Sequence, residues 1–257
     1  MGNYCCLVCC GEGKNLFNSA RDRDLPDMRR LLRNVGVDPN HKYCQDEWGR
    51  TPLYIACAYG RINCVKLLLE HNANVDKPDD RGWNPLHMAC RGGHYECAEE
   101  LLKKGASVNQ GRQSDGWTAL HEACHRNKVG CVRLLLEHGA AVDQATVDGR
   151  TALHVACQEG HVDCGHVLLE HGAAVDAETN VGWTPLHRAC RKNQRACVLL
   201  LLDHGADPAK KDSYGDGKTP AYWAGEFGTP DRQLADALDL ATRDKAAAVI
   251  QLRRIAE

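Results

Sequence analysis

The sequence predicts an all-α repeat solenoid, a stack of about seven helix-turn-helix units, end units included, with β-hairpin fingers between them. The first supporting observation is a period. Gly49, Gly82, Gly116, Gly149, Gly182 and Gly217 each precede a Thr-Pro-Leu-like word, at steps of 33, 34, 33, 33 and 35 residues, and a period of roughly 20 to 50 residues marks stacked repeats. The second is the placement of the cysteines. Ten of the 15 stand in two columns, Cys57, Cys90, Cys124, Cys157 and Cys190, each followed seven residues later by Cys64, Cys97, Cys131, Cys164 and Cys197. The third is a leucine run at one place in the period, as in Leu67-Leu68-Leu69, Leu134-Leu135-Leu136 and Leu200-Leu201-Leu202.

Residues 13–40 read as a worn first unit, with Leu31 and Leu32 ringed by Arg29, Arg30 and Arg33 as a polar outer cap would be. From the second unit on, Thr51, Asn84, Thr118, Thr151 and Thr184 are good N-caps, and Pro52, Pro85 and Pro185 sit where a missing N–H costs nothing, so a helix begins at each word. That helix is short. Gly60, Gly93, Asn127, Gly160, Asn193 and Gly228 follow, and these residue types tolerate the left-handed turn that reverses the chain. The second helix carries the leucines, each worth roughly 1.5–3 kcal/mol when buried, and stops at Asn72, Gly105, Gly139, Gly172 or Gly205. A polar stretch such as Val175 to Gly182 then forms the finger. Beyond Asp231, Leu234, Leu238, Val249, Ile250 and Ile255 lie at mostly helical spacing with Arg253 and Arg254 outward, which predicts a closing helix or helix pair. Three segments result: a Cys-rich tail over 1–12, the repeats over 13–228 and a capping segment over 229–257.

The words Thr51-Pro52-Leu53-Tyr54-Ile55-Ala56, Asn84-Pro85-Leu86-His87-Met88-Ala89, Thr118-Ala119-Leu120-His121-Glu122-Ala123, Thr151-Ala152-Leu153-His154-Val155-Ala156 and Thr184-Pro185-Leu186-His187-Arg188-Ala189 resemble the ankyrin repeat. The resemblance implies a protein-interaction module that chooses its partner on a concave face built from finger tips and first helices. It also implies that His87, His121, His154 and His187 hold the turn by hydrogen bonds, one per unit, instead of gathering round an ion. On the implied face, the position after each finger glycine holds Arg50, Trp83, Trp117, Arg150, Trp183 and Lys218, and the ends of the first helices add Tyr59, Arg91, His125, Arg126, Arg191 and Lys192. Trp, Tyr and Arg dominate interface hot spots because they bury large areas and keep a polar handle. The alternative is that the tryptophans pack finger against finger within the stack.

Composition narrows the function. In 257 residues, 32 basic side chains against 34 acidic leave a net charge of −2, so no bulk field holds nucleic acid. The longest apolar runs, Tyr4 to Cys10 and Ala196 to Leu202, have 7 residues, against the roughly 20 of a spanning helix. The N-terminus lacks the basic start and apolar core of a secretory signal, so a cytosolic or nuclear location and reduced thiols are expected. In that setting the cysteine columns read as small apolar packing residues. His71, His138, His171 and His204 close the second helices and complement their dipoles. No phosphate loop, nucleophile elbow, zinc-protease helix or kinase word occurs, so neither enzyme activity nor a cofactor or metal is expected.

The start, Met1-Gly2-Asn3-Tyr4-Cys5-Cys6-Leu7-Val8-Cys9-Cys10, suggests a lipid anchor. Gly2 is an acceptor for myristate after Met removal, and Cys5, Cys6, Cys9 and Cys10 are acceptors for palmitate; Cys6 stands where the pattern wants Ser or Thr. Since one chain holds weakly and the first 40 residues carry 6 basic against 5 acidic side chains, palmitate would have to be the second signal. A Cys6-x-x-Cys9 metal or redox pair and an unmodified tail are the competing readings. The expected function is a monomeric, non-catalytic adaptor that binds an acidic or phosphorylated segment of another protein, at the cytoplasmic face of a membrane. The rivals are a soluble inhibitor of a kinase or transcription factor, and a ubiquitin-ligase substrate adaptor, whose Leu-Cys-Arg-like motif is not seen after Asp231.

Overall fold

A computed structural model describes residues 16–35, 37–42, 46–213, 217–226 and 231–256. The proposed lipidation residues Gly2, Cys5, Cys6, Cys9 and Cys10 lie outside them, as do Cys44 and Gly228. Helices pair in chain order: α1 (16–22) with α2 (Leu25–Arg30), which runs into a wider π turn at Leu31–Val35; α3 (Pro52–Ala58) with α4 (Ile62–Glu70); α5 (Pro85–Gly92) with α6 (Tyr95–Lys103); α7 (Ala119–His125) with α8 (Val129–Glu137); α9 (Ala152–Glu159) with α10 (Val162–Glu170); α11 (Pro185–Arg191) with α12 (Arg195–Asp203); and α13 (Pro220–Glu226) with α14 (Arg232–Ala241). A last helix, α15 (Lys245–Ala256), closes the stack against α12 and α14. The segment read as a closing helix or helix pair, 229–257, contains α14, which packs on α13, and α15, which packs on α12 and α14.

The sequence words act as read. Thr51, Asn84, Thr118 and Thr184 accept the backbone N–H of the third residue of the helix that each one starts. From α3 to α13 the odd-numbered helices stack on one another along one side, and from α2 to α12 the even-numbered ones along the other; beyond α12 it is α15 that continues the second row. Close approach of the inner row depends on small side chains: Ala56, Ala89, Ala123, Ala156 and Ala189 are fully buried, each beside a buried cysteine of the first column. All ten cysteines of the two columns are buried free thiols. Burial pushes the Cys57, Cys124 and Cys190 thiols up, which suits packing and not nucleophilic chemistry.

Four histidines join the units in series. The Nε2–H of His87 donates to the Trp117 carbonyl (3.0 Å), that of His121 to Arg150 (3.1 Å), of His154 to Trp183 (2.9 Å) and of His187 to Lys218 (3.1 Å). A carbonyl can only accept, so Nε2 carries the proton and Nδ1 takes the N–H of the cap residue, as at Thr151 (3.1 Å) and Thr184 (3.1 Å). A second stitch runs along the outer edge of the turns. Asp76 accepts the N–H of Ser107 (3.0 Å), Asn109 that of Ala141 (2.8 Å) and Asp143 that of Ala174 (3.0 Å). His71, His138, His171 and His204 do more than complement a dipole: each Nδ1–H donates to a last-turn carbonyl at 2.8–2.9 Å.

Fingers are tight, and among the described residues they contain no strand. The hairpin-shaped turns are closed by backbone bonds, such as Asp79 N–H to the Trp83 carbonyl (2.8 Å) or Thr179 N–H to that of Trp183 (2.9 Å). Neighbouring fingers are tied by others, such as Val147 N–H to Asp115 (2.8 Å). Gly149 shows why glycine recurs there. Its φ is +82°, and a Cβ would lie 2.7 Å from the Asn180 backbone nitrogen of the next finger. At the ends, Arg29, Arg30, Arg33, Arg253 and Arg254 face solvent as expected. Ile250, expected to pack, is instead 55% exposed, because α15 buries Ala248 and Leu252 on its opposite side.

Candidate partner-binding groove

The inner helices end, and the fingers turn, along one face. The residues expected to form a ladder there differ in how far they reach solvent. Trp83 and Trp117 are half-buried, with two guanidinium groups set over or beside each ring. The Arg112 guanidinium carbon stands 4.1 Å from the Trp83 ring centre and that of Arg91 5.7 Å; Trp117 has Arg150 at 5.6 Å and Arg112 at 5.9 Å. Cation–π contacts of this sort hold the arginines upright over aromatic faces. Tyr59 is half-exposed with Arg61 beside its ring (5.9 Å), and Lys192 is exposed at the end of α11.

Trp183 is different, and the expectation of an exposed contact there is corrected. It is 3% exposed, packed on Trp223 of the seventh unit (ring centres 4.7 Å apart) and covered by Arg188 (4.6 Å) and Arg191 (5.1 Å). Trp223 is itself fixed, its Nε1–H donating to Asp212 (2.8 Å). Here the finger-packing alternative holds. Arg191 stays exposed above the pair, and Lys218 lies over the Tyr222 ring (4.7 Å).

The arginines are not equally available. Arg50 is clamped by the buried Asp46 at 2.6 Å and stacks on Trp48 at 4.7 Å. Burial works to raise the Asp46 carboxyl, but hydrogen bonds from the Arg50 side chain and backbone outweigh it and hold the group below the usual carboxylate range. Arg150 is 2.7 Å from Asp148. Arg91 and Arg126 share one carboxylate, Glu122, which is 2% exposed. Its Oε2 accepts the Trp117 Nε1–H (3.1 Å), and its Oε1 accepts the Arg126 Nε–H (3.3 Å) with Arg91 Nε at 3.6 Å. His125 faces Glu159 at 3.7 Å.

Sequence reasoning missed Glu122, Arg112, Arg188 and Trp223. A signal for two of them was present: in the His-x-Ala slot of the repeats, Ile55, Met88 and Val155 are apolar, whereas Glu122 and Arg188 are charged. No group of three or more His, Cys, Asp or Glu that could hold a metal occurs among the described residues. No helix there is long and apolar enough to cross a membrane.

Comparison with known proteins agrees with this architecture. The family model described as ankyrin repeats (3 copies) matches residues 16–112, 109–179, 143–212 and 174–238. The structure is similar to that of the human ASB11 ankyrin repeat domain, with a TM-score of 0.75 and 30% identity, covering 88% of this chain and 96% of that one. Over 71 residues it is 38% identical to mouse ankyrin repeat and SOCS box protein 12, which is 27% of this chain and 23% of that protein. Over 57 residues it is 47% identical to the potassium channel AKT1 of Arabidopsis thaliana, 22% of this chain and 6% of the channel. The chain therefore spans less than a quarter of these two relatives.

Proposed function

The chain belongs to the ankyrin-repeat family, and from that premise we propose that it is a non-catalytic adaptor that binds an acidic or phosphorylated segment of a partner protein along its concave face. Ankyrin repeats are protein-interaction domains, so partner chemistry is the open question. The observation that carries the reading is the alternation of guanidinium and half-exposed indole from Trp83 to Arg150, which offers cations, broad apolar faces and directed N–H donors together. Affinity purification with mass spectrometry tests it. The double variant Trp83→Ala/Trp117→Ala should lose partners that the wild type captures while melting within a few degrees of it, and capture should weaken as salt rises. Retention of every partner by the double variant would refute a concave site.

A second reading, presentation of a substrate to a ubiquitin ligase, is favoured by the likeness to ankyrin repeat and SOCS box protein 12. It predicts ligase components among the captured proteins. The N-terminal Gly2 and its neighbouring cysteines support tethering of the adaptor to the cytoplasmic face of a membrane, with one acyl chain on Gly2 and another on Cys5, Cys6, Cys9 or Cys10. Gly2→Ala should then move the protein from the membrane fraction to the cytosol, and unchanged fractionation would remove the tether.

A further inference from the structure

The geometry points to a phosphate-recognition subsite at the junction of α5 and α7, in which the buried Glu122 fixes Arg91 and Arg126 as a pair that grips the phosphoryl group of a phosphorylated peptide. The inference rests on the concave-face reading and names the chemistry of its occupant. A depression of about 320 Å³ lies at this junction, lined by Arg91, Arg126 and Lys128 over the apolar Ala58 and Met88. Both arginines are about two-fifths exposed, and both bring Nε to the same carboxylate oxygen. Each guanidinium thus meets Glu122 through Nε, which leaves its Nη1 and Nη2 donors for a ligand.

Glu122 is held on three sides. Trp117 donates to its other oxygen, so the carboxylate cannot swing out without leaving an indole N–H unpaired. Arg91 also rests near the Trp83 ring. The third cation, Lys128, comes from the next turn and runs across Gly93, whose φ is +73° and where a Cβ would meet the lysine stem at 2.8 Å. Lys128 pairs with no carboxylate among the described residues, and the next acidic side chain along the groove, Glu159, faces His125. Three cations set against one carboxylate leave a local excess of two positive charges, which matches the roughly −1.5 to −2 of a phosphomonoester better than the single charge of Asp or Glu. Arginines held as a pair also lose less freedom on gripping the planar or tetrahedral oxygens.

Fluorescence anisotropy of the full chain with three labelled degenerate peptide pools, fixed at the centre as phosphoserine, serine or aspartate, tests this. The wild type should bind the phosphoserine pool roughly tenfold or more tighter than the serine pool, with aspartate between. Arg91→Ala/Arg126→Ala should erase the preference, and Arg191→Ala, in the buried-tryptophan unit, should keep it. Should the double Ala variant not fold, Arg91→Lys/Arg126→Lys keeps the charge without the fork and should still lose most of the preference. Glu122→Gln is the sharpest arm: it raises local positive charge, so a mere field strengthens phosphopeptide binding, whereas a positioned pair weakens it. Equal binding of phosphoserine and serine pools, preference surviving in the Arg91/Arg126 variants, tighter binding by Glu122→Gln, or Arg91-dependent binding to phosphatidylserine vesicles without phosphopeptide preference would each overturn the subsite. Capture from cells that is lost with Trp83→Ala/Trp117→Ala but kept with Arg91→Ala/Arg126→Ala leaves the adaptor reading standing and removes only this subsite.

Discussion

Trp83 and Trp183 occupy the same place in their repeats, after the finger glycine and before the helix cap, yet one lies half-open under arginines and the other is sealed in the stack. The difference comes from the next unit. Beyond Trp83 the following finger offers Arg112, a polar side chain, and the ring stays half-buried. Beyond Trp183 the seventh unit offers Trp223, locked by Asp212, and two indoles close on each other. In a solenoid, a surface position is defined by its neighbour as much as by its own repeat. The middle units thus keep an aromatic and cationic face for a partner, and the C-terminal units spend the same residue type on their own cohesion.

The largest expected effect separates these two roles directly. Trp183→Ala removes a buried indole and should cost about 3–5 kcal/mol in urea unfolding, whereas Trp83→Ala should cost about 1 kcal/mol or less. Equal losses would erase the distinction. Acid comes next, and it acts on both regions alike. Burial, opposed by the bond to a finger carbonyl, holds His87, His121 and His154 down at about 4. Free histidine titrates near 6.5, so between these values the unfolded chain binds more protons than the folded one, and stability present above pH 6.5 is lost as pH falls towards 4. Each of the three contributes on the order of 3 kcal/mol to that loss. A protonated Nδ1 would also point a second donor at the cap N–H, as at Thr151. Melting curves at stepped pH should show this fall, and His154→Gln should flatten it in part. A melting temperature constant from pH 7 to 4.5 would rule the buried neutral imidazoles out.

Smaller effects sharpen the comparison. Tyr59→Ala and Lys192→Ala alter exposed residues and should each shift stability by no more than about 0.5 kcal/mol, so any loss of partner capture in them reports contact and not folding. Thiol labelling of the native protein should be slow at Cys90 and Cys190 alike, since both are buried. Faster labelling of Cys190 would show that the C-terminal units open on their own, contrary to the cohesion that the Trp183–Trp223 pair provides.

Much of this architecture was legible in the chain because repeats write the same physical instruction several times. The cap at Thr118, the turn at Asn127 and the leucines at 134–136 are local requirements, met within a dozen residues. Ten cysteines in two columns marked interior packing because their spacing matched that of the helices they fill. The groove was only half legible. Its basic and aromatic members could be numbered from the pattern, but Arg50 proved to be clamped by Asp46, four residues before it in the same finger, and Trp183 to be covered by Trp223, a partner recognisable only once the chain is folded. Glu122 stood out as a charge in an otherwise mostly apolar slot, yet its bond to Trp117 and its hold on an arginine from the preceding unit exist only across the stack. The sequence by itself determined where the helices of the repeats start and end and which face they bury, because caps, glycines and apolar spacing act through near neighbours along the chain. Tertiary structure alone decided which tryptophans stay open and that Glu122 also holds Arg91, because these contacts join side chains of different repeats, brought together by stacking.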